Sequence, residues 1–158
     1  MRANLANDLR LRRNPQRFCY ASQIVEQDLH IEQSRTIVQN ATAQSEAIES
    51  NLVCARHLES MVQASDDFEM AAPVELSIFC SRHVPEWLRN ESPEAIDAFN
   101  ERLLVALQRD GSSYLSNATL GGRFALRGCV LNYRTTLLDM EILLDDLRRV
   151  AQSLRIPA

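Results

Sequence analysis

Two adjacent glycines, Gly121 and Gly122, constrain the fold of this chain more than any other feature. The sequence has four glycines in 158 residues, so a neighbouring pair is an unusual concentration. The stretch "SSYLSNATL" precedes the pair and "RFALRGCVLN" follows it, and both are strand-like. Glycine readily adopts the positive φ that a two-residue hairpin turn requires. The sequence therefore predicts a β-hairpin around residues 121 and 122.

The strand after this turn has two different faces, because successive side chains alternate between the two sides of a sheet. One face is apolar and consists of Phe124, Leu126, Gly128 and Val130. The other face is mixed and consists of Arg123, Ala125, Arg127, Cys129 and Leu131. The mixed face need not belong to the core. Arg127 could hold a ligand there, face solvent, or pair with a nearby acid such as Asp139 or Glu141.

Helix signals lie on both sides of the hairpin. Residues 92–94 (Ser-Pro-Glu) combine an N-cap serine, a first-turn proline and an early acid, and Gly111 is the expected stop. After the hairpin, Thr135 or Thr136 is placed to cap the last helix. Asp139 is in position for a capping box with Thr136.

The first half of the chain predicts more helix, because Ala21–Ser65 contains no glycine and no proline. This stretch forms either one long helix or two helices with a soft break, with Thr42 or Ser45 as the cap of the second. The later part has an amphipathic face. That face consists of Ile48, Leu52, Ala55, Leu58 and Val62.

Two short strands are predicted to follow. Residues 68–70 can form the first, and Pro73 marks a turn. The second strand places Val74, Leu76, Ile78 and Cys80 on one face and Phe79 on the other, and Pro85 ends it.

This element order predicts an α+β fold, in which a small antiparallel sheet has helices packed on one face and is preceded by a long helix or helical hairpin. We divide the chain into residues 1–20, a basic and solvated arm; residues 21–47, a helical segment of unrecognised type; and residues 48–158, a small domain. An anionic partner or a mitochondrial presequence are alternative interpretations of the arm.

Charge and composition restrict the function. The net charge of −4 argues against nucleic-acid binding, and no apolar run is long enough to span a membrane. All 17 basic residues are arginine, so no side-chain amine is present to form a Schiff base.

The cysteines and histidines predict no metal or redox site. Cys19, Cys54, Cys80 and Cys129 have no CxxC spacing, and we expect reduced, mostly buried thiols in a cytoplasmic protein. We expect the histidines to be surface or half-buried structural residues; they are His30, His57 and His83.

From about residue 48 onwards, the sequence resembles the C-terminal small domain of the pyridoxal-phosphate-dependent group II amino-acid decarboxylases. Three stretches carry the resemblance: "ARHLESMVQASDDFEMAAPVELSIFCSRHVP", "NERLLVALQRDGSSYLSNATLGGRFALRGCVLNYRTT" and the closing amphipathic helix. They contain the family's Cys-x-Arg at residues 80–82, its Leu-Arg at residues 126–127 and its Asn-x-Arg-Thr-Thr at residues 132–136.

The resemblance implies that Arg127 holds the α-carboxylate of an amino-acid substrate. It also implies pyridoxal phosphate as the family's cofactor and a second subunit as partner. The family's large domain, which supplies the cofactor lysine, is absent from this sequence, so we expect no catalysis and no bound cofactor from this chain alone. The alternative is a non-catalytic oligomerisation or interaction module built from a truncated decarboxylase.

Overall fold

The computed structural model describes the backbone of residues 34–155 and the side chains of residues 44–155. Within this range the predicted element order and the α+β class are confirmed. The interpretation of residues 1–20 as an arm lies outside the described residues. The elements are α1 (Ser34–Gln63), β1 (Phe68–Glu75), β2 (Ile78–His83), a short 3-10 helix (Glu86–Leu88), α2 (Pro93–Asp110), β3 (Ser116–Leu120), β4 (Arg123–Cys129) and α3 (Leu137–Arg155).

The four strands form one antiparallel sheet in the order β1-β2-β4-β3. Helix α1 packs against β1 and β2, α2 packs against β4 and β3, and α3 packs against both of these helices. Large apolar side chains from the sheet and all three helices meet in a single core. Its most buried members include Leu58, Phe79, Phe99, Leu103, Leu107, Leu126, Met140, Leu143 and Leu147.

Helix α1 is one continuous helix within the described residues, so the predicted caps at Thr42 and Ser45 are not used. The absence of glycine and proline explains this continuity, because nothing in the segment removes a helical hydrogen bond. The helix also runs without a break across residues 47 and 48. The boundary between the helical segment 21–47 and the small domain 48–158 stays a prediction. The amphipathic face is buried at Leu58 and Val62, but Ile48 is exposed.

Strand β1 contradicts the prediction of a turn at Pro73, because the strand continues to Glu75 and the turn lies at Leu76 and Ser77. β1 is an edge strand, where proline is tolerated because its missing N–H need not complete a ladder. The predicted strand from Val74 to Cys80 is also interrupted, because this turn divides its residues between β1 and β2. Leu76 is 76% exposed with a positive φ of 55°, whereas Phe79 of β2 is buried in the core.

The predicted caps of α2 and the predicted hairpin are confirmed. Ser92 Oγ accepts a hydrogen bond from Ala95 N at 3.2 Å, and Gly111 ends the helix with φ of 73°. Gly121 and Gly122 form the turn between β3 and β4, with φ of 58° and 78°.

The predicted capping box at the start of α3 is confirmed in one direction. The Asp139 carboxylate accepts hydrogen bonds from the backbone N–H and the hydroxyl of Thr136, both at 2.8 Å. In the other direction, Asp139 N donates to the Thr136 carbonyl instead of the hydroxyl.

Asn100 is fully buried and joins α2 to the end of β2. Its Oδ1 accepts from His83 N at 2.8 Å, and its Nδ2 donates to His83 O at 3.0 Å and to Ile96 O at 2.9 Å. We expect Asn100→Ala to lower the free energy of unfolding by about 2 kcal/mol, because it leaves two buried backbone groups unpaired. Urea denaturation measures this loss. The exposed Asn90 is the control, and Asn90→Ala should change stability by less than about 0.5 kcal/mol.

No helix within residues 34–155 combines the length and apolar character needed to cross a membrane.

Candidate functional site

The sheet has a second face, opposite the side chains of Phe79 and Leu126, and we call it the open face. Alternation along the strands and the strand register place its members on β2, β4 and β3. Most of them are half-buried or exposed, and only Ala125 is fully buried. The open face consists of Ile78, Cys80, Arg82, Ser116, Ala118, Leu120, Arg123, Ala125, Arg127 and Cys129.

Arg127 lies in the middle of this face. In the register of the sheet it is opposite Cys80 of β2 and Ser116 of β3, so strands flank it on both sides. Ser116 Oγ donates to the Arg127 carbonyl at 3.3 Å. The Arg127 side chain is exposed, and its guanidinium has no hydrogen bond or ion pair with another residue of the range 44–155. Its exposure is compatible with two of the alternatives that the sequence left open, a solvated side chain and a bound ligand, and no ion pair of Arg127 with Asp139 or Glu141 is observed.

The other two arginines on the open face are neutralised by acids. Arg82 Nε lies 2.8 Å from Glu69 Oε1. Arg123 Nε donates to both carboxylate oxygens of Asp97, at 3.0 and 3.2 Å, and this hydrogen bonding lowers the pKa of Asp97. Among the described arginines of this face, Arg127 is therefore the one whose charge is not paired with an acid.

The Cys80 thiol beside Arg127 is not activated. Burial raises the pKa of the Cys80 thiol, the positive charge of Arg127 opposes that rise, and Cys129 adds to it. The thiol therefore stays protonated at neutral pH, which suits a structural cysteine rather than a nucleophile. Among the described residues Cys54, Cys80 and Cys129 are free thiols; Cys54 is buried, whereas Cys80 and Cys129 are only half-buried, which corrects the expectation of mostly buried cysteines. Cys19 lies outside the described residues.

The histidines are not on the open face. His57 is half-buried, and its Nε2 lies 3.6 Å from Glu141 Oε1. His83 is buried, which corrects the expectation of a surface or half-buried position, and its ring lies between those of Phe68 and Phe99. His30 lies outside the described residues.

A polar cluster beside His83 was not indicated by any sequence pattern. Arg148 donates to both oxygens of Asp67, at 2.8 and 2.9 Å, and to Ser65 Oγ at 2.9 Å. Burial would raise the pKa of Asp67, but hydrogen bonds from Arg148 and Ser65 lower it to about 2. Asp67 and Arg148 are 81 residues apart in the chain, so no local pattern could reveal the pair.

The chain lacks the group that would attach pyridoxal phosphate. The cofactor is held in enzymes as a Schiff base on a lysine, and this sequence has no lysine. The residues present therefore do not fit a covalently attached cofactor, and any such lysine has to come from sequence outside these 158 residues.

No protein-family model matches the chain. It is 26% identical over 111 residues to the aromatic-L-amino-acid decarboxylase of Bacillus atrophaeus, an alignment that covers 70% of this chain and 23% of that protein. It is 30% identical over 86 residues to tryptophan decarboxylase 1 of Oryza sativa subsp. japonica, covering 54% of this chain and 17% of that protein.

The solved structure of Oryza sativa TDC with PLP and tryptamine shares the fold, with a TM-score of 0.63 and 23% identity over 70% of this chain and 24% of that one. The predicted resemblance to the group II decarboxylases is thus confirmed over about 70% of this chain. The chain spans less than a quarter of the length of the curated relatives named here.

Proposed function

We propose that this chain, which resembles the group II pyridoxal-phosphate-dependent decarboxylases, forms the part of such an enzyme that completes the substrate-carboxylate side of the active site. The observation that carries the proposal is the exposed and unpaired guanidinium of Arg127 on the open face. Arg127 is the residue that would bind the α-carboxylate of an amino-acid substrate.

The geometry around Arg127 suits this role. A guanidinium presents two parallel N–H donors that match the two oxygens of a carboxylate. The backbone that carries Arg127 is fixed from both sides, because β4 pairs with β2 and with β3. A carboxylate bound there would therefore be held in a defined orientation at little cost in backbone entropy.

In this proposal the chain binds and orients the substrate, and carries out no covalent step. Pyridoxal phosphate would supply the electron sink for decarboxylation when bound by residues outside this sequence. The amino acid that is decarboxylated is set by groups that this chain does not contain.

A chimera tests the proposal. The matching segment of the Bacillus atrophaeus enzyme is replaced by that of this chain, and decarboxylation of aromatic L-amino acids is measured. We expect Arg127→Met to lower kcat/KM roughly tenfold or more, because an exposed charge-assisted hydrogen bond contributes about 1.5 kcal/mol. Arg127→Lys should recover only part of this loss, since lysine keeps the charge but lacks the two-pronged geometry.

The matched control is Arg109→Met, which removes an exposed arginine of α2. Cofactor absorbance should be the same in the unsubstituted chimera and in its Arg127→Met, Arg127→Lys and Arg109→Met variants. Equal absorbance separates loss of carboxylate binding from misfolding. A normal kcat/KM in the Arg127→Met chimera would overturn the assignment of this residue.

A second candidate function is a non-catalytic oligomerisation or interaction module. It is favoured by the open face, where Ile78, Ala118 and Cys129 are only half-buried in the described part of the chain. Apolar surface of this kind is stabilised when another surface covers it. The covering surface would be a second copy of the chain or the segment 1–45.

Light scattering over a range of concentrations, on the full chain and on a variant lacking residues 1–45, tests this candidate. We expect concentration-dependent self-association and a change in solubility or melting temperature when the segment is removed. A monomer with unchanged melting would contradict it. A cytoplasmic location remains part of the proposal for either function.

A further inference from the structure

The two edges of the sheet differ in how they resist pairing with another chain. Edge strand β1 contains Pro73, the acids Glu69 and Glu75, and register shifts against β2 on either side of Ala72. Proline, charge and irregular pairing are devices by which proteins prevent edge-to-edge association. The β1 edge is therefore protected.

The β3 edge has none of these devices. Its sequence, Ser116–Leu120 (Ser-Asn-Ala-Thr-Leu), contains no proline and no charged residue. Its register with β4 is regular from end to end. Asn117 and Thr119 are exposed, and Ala118 is half-buried.

The hairpin turn determines which backbone groups of β3 face outwards. Because a two-residue loop joins Leu120 to Arg123, these two residues form the hydrogen-bonded pair next to the turn. Hydrogen bonding to the partner strand then alternates along an antiparallel ladder, so the N–H and C=O groups of Asn117 and Thr119 face away from β4. Neither residue has a backbone hydrogen bond to another segment of the described chain.

We propose that the β3 edge pairs antiparallel with the β3 edge of a second copy of this chain, so that two sheets join into one across a twofold axis. This proposal rests on the self-association in the proposed function, and it assigns the contact between the copies to the β3 edge instead of the open face. In the register centred on Ala118, Asn117 is opposite Thr119 of the partner copy, and the two exchange both N–H···O bonds.

A second copy suits this edge better than an unrelated peptide does, because the strand is complementary to itself. Every outward-facing residue meets an outward-facing residue in this register, and the whole strand is used. Ala118 is opposite Ala118 of the partner copy, so two small side chains meet on the axis. No charges oppose each other in the paired segment, and the contact is isologous and closes as a dimer.

Sedimentation equilibrium of the full chain over a range of concentrations tests the proposal. We expect the unsubstituted chain to form a dimer. In Thr119→Lys the dissociation constant of this dimer should rise at least tenfold, because each copy then places a lysine against the β3 strand of the other copy. The control Asn90→Lys adds the same charge at an exposed position in the loop before α2 and should leave the dissociation constant unchanged.

Cysteine cross-linking supplies an independent measurement. Ala118→Cys should form a disulfide-linked dimer on mild oxidation with diamide, because opposite residues of a non-hydrogen-bonded pair are close enough for a disulfide. Ser116→Cys is the matched control and should stay at the level of the wild type, since Ser116 is opposite Leu120 of the partner copy and not its own equivalent.

The outcomes separate the two proposals. A dimer that is insensitive to Thr119→Lys and shows no cross-link through position 118 would overturn the β3 contact and leave the homo-oligomer in place. A monomer at every concentration would overturn both.

Discussion

We expect Gly128→Ala to be among the most destabilising single substitutions in this protein, lowering the free energy of unfolding by about 3 kcal/mol. Gly128 of β4 is directly opposite Phe79 of β2. A Cβ atom at Gly128 would lie 2.0 Å from Phe79 Cζ and within 2.6 Å of both Cε atoms. The phenyl ring of Phe79 is only 2% exposed, so it cannot move away without displacing other core side chains.

Urea denaturation measures this effect, and Gly111→Ala is the matched control. Gly111 has a positive φ of 73°, which Gly128 does not have, and nothing lies within 4 Å of a Cβ placed there. Its substitution should cost about 1 kcal/mol, from backbone strain alone. The double variant Gly128→Ala, Phe79→Leu should be more stable than Gly128→Ala, because the smaller side chain makes room for the added methyl group. A loss at Gly128 no greater than that at Gly111 would contradict the steric explanation.

We expect the protein to lose about 3 kcal/mol of stability between pH 6.5 and pH 4 because of His83 alone. Burial lowers the pKa of His83 to about 4, although the negative charge of Asp67 opposes this shift. In the unfolded chain a histidine has a pKa of about 6.5. In this window the unfolded state therefore binds a proton that the folded state does not, so stability is complete above pH 6.5 and is lost as pH falls towards 4.

Asp67 also stabilises the folded protein less as pH falls, but in a lower pH window than His83. Its folded pKa of about 2 is below the unfolded value, so its contribution is complete above about pH 4. That contribution is lost as pH falls towards 2. The two groups thus produce successive steps of acid destabilisation, with His83 first.

Urea denaturation at a series of pH values between 7 and 2 separates the two steps. His83→Phe should remove most of the slope between pH 6.5 and 4, since phenylalanine can occupy the position between Phe68 and Phe99 but cannot bind a proton. His57→Phe is the matched control and should keep the slope. An unchanged slope in His83→Phe would show that His83 does not cause the loss.

Features that depend on neighbouring residues were predictable from the sequence. The N-cap at Ser92, the stop at Gly111 and the turn at Gly121 and Gly122 are each determined by backbone preferences or by hydrogen bonds within a few residues. The alternation of β4 also correctly separated its core side from the side that carries Arg127.

Features that depend on the arrangement of strands were mispredicted for identifiable reasons. Pro73 is compatible with β1 only because that strand lies at the edge of the sheet, and strand order is not visible in local sequence. The alternation of β2 separated its two faces without deciding which one is the core, and the helices cover the side that carries Phe79, Ser81 and His83. The other side of β2, which carries Ile78, Cys80 and Arg82, belongs to the open face.

The sequence by itself determined the succession of helices and strands, the hairpin and the caps, because each depends on residues close together in the chain. It also determined the resemblance to a decarboxylase family, which depends on residue identities and not on contacts. Only the tertiary structure decided that Arg127 is the unpaired arginine of the open face, that His83 is buried beside Asp67, and that Gly128 lies under the ring of Phe79. These depend on contacts between segments that are far apart in sequence, and folding brings them together through the packing of a shared core.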